Sequence, residues 1–197
     1  MTASGVNSTG PLGFLTVVED TNSGLFGGYL VLNRSGRPLE FHCTAPIRPN
    51  RAQEILYGPT LKPYLYGEQI GRTLLEKGKQ TPAVVLTDCE PVLAMAEVVR
   101  IPIALVGAEE TDCLVPAESS PKVAGGLKWR IDSAQKLEPN LRFFRVGGHC
   151  LALRRGAGPE EEDSAVRAID AASVELDLRE PFERIRAAID EARRGGQ

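Results

Sequence analysis

Three acidic residues stand where predicted secondary-structure elements begin or end. Asp20 follows a strand, Glu54 enters a helix, and Asp88 ends a buried strand. Carboxylates held close together repel one another unless a cation lies between them, so such clusters bind hard ions such as Mg²⁺ or Mn²⁺. Two bound ions could activate a water for attack on a phosphodiester. If the fold brings these residues together, they form a catalytic metal site.

Each carboxylate also has a purely structural explanation. Asp20 begins a run of turn-forming residues and could close an Asx turn. Glu54 lies in the first turn of its helix, where a negative charge stabilises the positive end of the helix dipole. Asp88 could serve as the N-cap of the helix that follows it. The sequence leaves both sets of explanations open.

The first 45 residues predict an antiparallel meander. The first strand, 14–19, is rich in β-branched residues and stops at a run of turn formers. Two further strands, 25–33 and 39–44, are separated by a second turn. Gly27-Gly28 inside the second strand indicates either a bulge or the close approach of another group.

Asn50 is a favourable N-cap for a helix that starts at Arg51 and runs to about Lys77. Gly58-Pro59 and Pro63 should kink this helix, because proline removes a backbone donor. Its tyrosines and arginines either form a binding surface or pack the helix against the sheet; they are Arg51, Tyr57, Tyr64, Tyr66 and Arg72.

The next segment predicts a βαβ crossover. Residues 82–86 and 101–106 are short, continuously apolar runs, which is typical of parallel strands covered on both faces. Residues 90–99 between them predict a helix, with proline tolerated in its first turn.

The remaining chain predicts a hairpin of strands 122–131 and 141–154 around residues 132–140, and then a C-terminal helix over about 181–194. Phe182, Ile185 and Ile189 give that helix a narrow apolar stripe. The predicted organisation is a disordered tail (1–12), one α/β domain (13–155), an acidic linker (156–172) and a docking helix (173–197).

Composition limits the function classes. The chain has 197 residues, 42% of them hydrophobic, and a formal charge of −3. It shows no secretory signal and no apolar run of membrane-spanning length, which predicts a cytoplasmic protein. The charge does not require a nucleic-acid partner, and a protein partner or a homo-oligomer is equally compatible with it. The four cysteines lack CxxC spacing, so reduced cysteines are expected.

Both histidines of the chain precede cysteines, in His42-Cys43 and His149-Cys150. Imidazole and thiolate are natural zinc ligands, so a site drawn from two strands is one hypothesis. Neighbours on a strand point to opposite faces, however, and each dipeptide can send only one side chain to a common site. A Cys-His nucleophile pair is weaker still, because no third group orients it.

At this point the chain resembles the ribonuclease H-like superfamily. The order of three antiparallel strands, helix, parallel strand, helix and further strand over 14–106 is similar to that family. So are Asp20 with the following Gly-Gly-Tyr, the Asn-Arg-Ala-Gln-Glu that ends at Glu54, and the Thr-Asp-Cys around Asp88. The resemblance implies that Asp20, Glu54 and Asp88 bind Mg²⁺ or Mn²⁺, with a fourth ligand from Glu109, Glu110 or Asp112.

The predicted fold is therefore α/β, with a mixed sheet of three antiparallel strands and a βαβ unit, an added β-hairpin and a C-terminal helix. The first functional hypothesis is a divalent-metal-dependent nuclease or phosphodiesterase at Asp20, Glu54 and Asp88. The second is a non-catalytic interaction or regulatory domain that acts through the kinked helix 50–77 and the C-terminal helix.

Overall fold

A computed structural model of the chain describes residues 10–107, 141–146, 148–154, 159–173 and 176–195. Its centre is a seven-stranded mixed sheet with the order β3-β2-β1-β4-β5-β7-β6. The strands are β1 (Leu12–Asp20), β2 (Gly24–Leu32), β3 (Pro38–Cys43), β4 (Val84–Thr87), β5 (Ile103–Val106), β6 (Leu141–Val146) and β7 (His149–Arg154).

The predicted meander and the βαβ unit are both present. β1 pairs with β2, and β2 with β3, in antiparallel register. β1 then pairs with β4, and β4 with β5, in parallel. The carboxyl ends of β1 and β4 therefore lie at the same end of the sheet. Asp20 and Asp88 lie at this end, where open α/β sheets bind ligands.

The kinked helical stretch starts with α1 (Arg51–Tyr57), which Asn50 caps through a capping box with Gln53. It continues through a 3₁₀ turn (Gly58–Thr60), a short α2 (Leu61–Pro63), a π-helical segment (Tyr64–Arg72) and α3 (Thr73–Lys77). Pro59 lies in the 3₁₀ turn and Pro63 ends α2, so both predicted breaking points interrupt the regular α-helix. The predicted helix at 90–99 is a 3₁₀ helix (Glu90–Glu97).

Each face of the sheet carries a separate hydrophobic core. On one face pack α4 (Pro159–Ser173) and α5 (Glu180–Gly195). Their core includes Phe14, Leu30, Val84, Ile169, Phe182 and Ile185. On the other face the π-helical segment and the 3₁₀ helix pack on the sheet, and that core includes Leu15, Tyr29, Ile70, Val85 and Met95.

Gly27 and Gly28 let both layers approach β2. A Cβ atom on Gly27 would lie 2.1 Å from Cγ2 of Ile70, and one on Gly28 would lie 2.3 Å from Cγ2 of Ile185. Of the two predicted explanations for this glycine pair, close approach of other groups is therefore the one found here.

Two predictions about the C-terminal half are wrong. Most of the predicted linker 156–172 belongs to α4, whose Ala165, Ala168 and Ile169 are buried. Residues 141–154, predicted as one strand, form the hairpin β6–β7 with a turn at Gly148, where φ is +83°. A positive φ favours glycine and reverses the chain there. The predicted strand 122–131 lies outside the described residues.

The C-terminal docking helix is confirmed. Phe182, Ile185 and Ile189 of α5 are buried, and the ring of Phe182 meets that of Phe14 edge-on at 5.6 Å between centroids. The predicted N-terminal tail lies largely outside the described residues, although Leu12 already belongs to β1.

Cys43 and Cys89 are free thiols, but Cys150 is disulfide-bonded. The prediction of reduced cysteines is therefore wrong for Cys150. Disulfides persist mainly in oxidising compartments, so the predicted cytoplasmic location draws no support from this residue. Within the described residues, no helix has the length and apolar character needed to cross a bilayer.

Candidate functional site: the carboxylates at the end of the sheet

Asp20 closes an Asx turn at the end of β1. Its Oδ1 accepts the backbone N–H groups of Asn22 at 3.0 Å and Ser23 at 2.6 Å. Its Oδ2 accepts a hydrogen bond from Nη2 of Arg193, near the end of α5, at 2.6 Å. The guanidinium of Arg193 is the main reason that the pKa of Asp20 lies below its usual range, followed by the Ser23 amide.

Asp88 follows β4 and is held by the same helix. Its Oδ2 accepts a hydrogen bond from Nη2 of Arg186, which also donates from Nη1 to Glu183 at 2.9 Å. The Asp88 side chain is only 19% exposed. The N-cap of the following 3₁₀ helix is Cys89 and makes no side-chain cap hydrogen bond. The capping explanation for Asp88 is therefore wrong, since its partner is α5.

Glu54 is paired within its own helix. It lies in the first turn of α1, as predicted, and accepts a hydrogen bond from Nη1 of Arg51 at 2.9 Å. Its side chain is 41% exposed, and α1 contains no buried residue. Within the described residues, Glu54 belongs to no cluster of three or more His, Cys, Asp or Glu side chains that could hold a metal ion.

The strand register separates Asp20 from Asp88. Leu15 of β1 is paired with Thr87 of β4, so Asp88 lies beside Thr16. Asp20 lies four residues beyond Thr16, which at about 3.3 Å per residue is roughly 13 Å along the strand. Two ligands of one Mg²⁺ each lie only about 2 Å from the ion. These carboxylates therefore cannot share one ion in this arrangement.

The side chains described at this end of the sheet do not fit the predicted divalent-metal site. In the described part of the chain, no group of three or more His, Cys, Asp or Glu side chains could hold a metal ion. Asp20 and Asp88 each already have a guanidinium partner. The residues suggested for a fourth ligand, Glu109, Glu110 and Asp112, lie outside the described residues. A metal role for Asp20, Glu54 and Asp88 stays a prediction.

Sequence reasoning missed a second carboxylate network on the opposite face of β1. The buried Tyr66 donates its hydroxyl proton to Oε1 of Glu19, and Nζ of Lys62 donates to the same oxygen at 3.0 Å. These bonds, that of Tyr66 first, lower the pKa of Glu19. The pKa of Tyr66 is raised by burial and then by Glu19. The only sign of this network in the sequence was that Glu19 is adjacent to Asp20.

Cys89 lies between the two strand ends and is not an activated nucleophile. Its Sγ is 3.7 Å from Oγ1 of the buried Thr16 and 3.6 Å from the carbonyl oxygen of Val17. Burial, followed by the negative charge of Asp88, raises the pKa of this thiol. A raised pKa keeps the sulfur protonated at neutral pH, and the thiolate is the reactive form.

The two histidines have carboxylate neighbours in place of a shared zinc ion. Nε2 of His42 lies 3.5 Å from Oε2 of Glu40, and Nε2 of His149 lies 3.6 Å from Oδ1 of Asp177. Cys43 is an exposed free thiol on the edge strand, and Cys150 is in a disulfide. The described residues therefore give neither the zinc hypothesis nor the Cys-His nucleophile any geometric support.

The lowered pKa values of Asp20 and Glu19 predict a specific pH dependence. A carboxyl group whose pKa is lower in the folded than in the unfolded state stabilises the fold at pH values above its unfolded pKa of about 4. That stabilisation is lost as the pH falls through the folded pKa. Asp20→Asn and Glu19→Gln should each lower the free energy of unfolding at pH 7. The difference in this free energy between each variant and wild type should be smaller at pH 3. Urea unfolding at both pH values measures this.

Glu191→Gln is the matched control for the pH experiment, because its side chain is 80% exposed and lies 3.9 Å from Arg194. It should follow the wild-type pH profile. A constant difference between Asp20→Asn and wild type from pH 7 to pH 3 would contradict the role given to Arg193.

No protein-family model and no curated protein matches this chain.

Proposed function

We propose that the chain is a ribonuclease H-like domain that works without metal catalysis, as an interaction domain that associates with a second copy of itself through α1. The strand order β3-β2-β1-β4-β5, with the first three strands antiparallel and the next two parallel, supports the fold assignment. The arginines on Asp20 and Asp88 support a non-catalytic role, because each carboxylate already has a cationic partner.

The observation that carries the interaction role is the exposure of α1. Ile55 is 67% exposed and Leu56 is 81% exposed, and no residue of this helix is buried. α1 opens the helical stretch that continues to Lys77, and exposed apolar side chains are stabilised when they pack against another surface. In the described residues α1 has no such packing, so a partner surface would supply it.

Charge favours a second copy as the partner. Arg51 and Glu54 lie one helical turn apart on α1, and their side chains are 83% and 41% exposed. In a two-fold, antiparallel pairing, Arg51 of each copy would exchange its own Glu54 for the partner's Glu54, while Ile55 and Leu56 pack at the centre. Two-fold dimers are the commonest oligomers, and their interfaces are self-complementary in this way.

The C-terminal helix α5 does not have the partner-binding role that the second functional hypothesis gave it. Its apolar stripe of Phe182, Ile185 and Ile189 is buried on the chain's own sheet. We therefore assign partner binding to α1 and assign α5 to closing the carboxylate end of the sheet.

Analytical ultracentrifugation over a range of concentrations tests this proposal. Wild type should form a dimer, and Ile55→Ser with Leu56→Ser should weaken it at least about tenfold, which corresponds to about 1.4 kcal/mol. Val98→Ser is the control, because Val98 is 43% exposed on another element. A wild type that stays monomeric, or equal weakening by Val98→Ser, would contradict the proposal.

A second candidate is the metal-dependent phosphodiesterase. The position of Asp88 directly after the parallel strand β4 favours it, since ligands bind at this edge in open α/β sheets. The separation of Asp20 from Asp88 along the strands and their pairing with α5 argue against it.

A further inference from the structure

We propose that the cavity beside the end of α5 binds a small organic anion with an apolar body, a carboxylate on an aromatic ring or short alkyl chain. The cavity has a volume of about 400 Å³ and lies between β2, the segment after β3 and the last turns of α5. This volume is within the range of roughly 300–1,000 Å³ that is usual for small-molecule sites. None of its lining residues belongs to α1, so the proposal does not depend on the dimer.

The lining of the cavity combines an apolar wall with a polar rim. Phe26, Pro46 and Ile189 supply apolar surface, and Ser23 and Thr44 supply hydroxyl groups. Oγ1 of Thr44 accepts the backbone N–H of Gly27 at 2.9 Å, which leaves its own proton free to be donated. Apolar surface with a few placed polar groups is typical of pockets that bind and orient small ligands.

The charge of the lining selects an anion. Among the described residues that line the cavity, Arg193 alone carries a charge. Its guanidinium lies over the ring of Phe26, 4.9 Å from the centroid, and is fixed by Asp20. Nη1 also forms an ion pair with Oδ1 of Asp190 at 3.6 Å, a distance too long for a hydrogen bond. The remaining N–H groups can donate to a ligand carboxylate, and guanidinium groups bind carboxylates through paired, charge-assisted hydrogen bonds.

The exposed thiol of Cys43 also lines the cavity and provides a reporter. The experiment measures the rate at which iodoacetamide alkylates Cys43 in the full chain, read by peptide mass spectrometry. The probes are phenylacetate and octanoate, each compared with its neutral amide. A bound carboxylate should slow alkylation by the factor 1 + [L]/Kd, which is about threefold at twice the Kd.

Two variants and a control locate the effect. Arg193→Gln removes the charge, and Ala192→Phe fills the cavity while keeping Arg193 and its bond to Asp20. Both should abolish protection by the carboxylates. Arg194→Gln is the control, because Arg194 is 78% exposed and does not line the cavity; it should leave protection unchanged.

The outcomes separate clearly. Protection by a carboxylate but not by its amide, lost in Ala192→Phe and kept in Arg194→Gln, supports the proposal. The proposal is overturned if neither carboxylate protects Cys43, if the amides protect equally, or if protection survives Ala192→Phe. If Arg193→Gln fails to fold, Ala192→Phe decides the result.

Discussion

Gly28→Ala should lower the free energy of unfolding by roughly 1–3 kcal/mol, the usual cost of overpacking a core. The sign is informative, because replacing glycine by alanine inside a strand normally stabilises it by reducing backbone freedom. Here the added Cβ would lie 2.3 Å from Cγ2 of Ile185 and 3.0 Å from Cδ1 of Ile189. Either α5 or β2 must move to accept it.

The control for this prediction is Ile185→Ala, which removes the atom that blocks the new methyl group. Substitutions of residues in contact are not additive. Gly28→Ala should therefore destabilise the Ile185→Ala variant less than it destabilises wild type, as measured by urea unfolding. An equal cost in both backgrounds would show that α5 does not dock on Gly28.

The strands could be predicted from the sequence because their signals are local. A β-branched run located β1, turn formers on either side bounded β2 and β3, and two short apolar runs located β4 and β5. α4 was missed because its acidic start, Glu160 to Asp163, is typical of a solvated linker. Its buried stripe consists mainly of small residues such as Ala165 and Ala168, which give a weak helical pattern.

The candidate site was predictable only in part, for a related reason. The sequence placed Asp20 at the end of β1 and Asp88 after β4, because strand ends are local features. Their partners are not local, since Arg186 is 98 residues from Asp88 and Arg193 is 173 residues from Asp20 along the chain. No spacing rule connects such pairs, and the strand register that separates the two carboxylates depends on how β1 pairs with β4.

Arg186→Met should destabilise the protein by about 1–3 kcal/mol, because it leaves the largely buried carboxylate of Asp88 without its charged donor. Asp88→Asn should cost less in the Arg186→Met background than in wild type, since the interaction is already lost there. Arg194→Met is the control: its partner Glu191 is 80% exposed, and surface pairs contribute at most about 1 kcal/mol. Equal costs of Asp88→Asn in both backgrounds would contradict the coupling.

The central claim is that arginines of α5, and not metal ions, neutralise the carboxylates at the end of the sheet. Its most direct test is the thermal midpoint of unfolding, measured with chelator and with millimolar Mg²⁺ or Mn²⁺. A metal bound only by the folded state would raise the midpoint. The arginine pairing predicts the same midpoint for wild type in both conditions, and a lower midpoint for Arg186→Met. A metal-dependent rise in the wild-type midpoint that Asp88→Asn abolishes would contradict the arginine pairing and support a metal site.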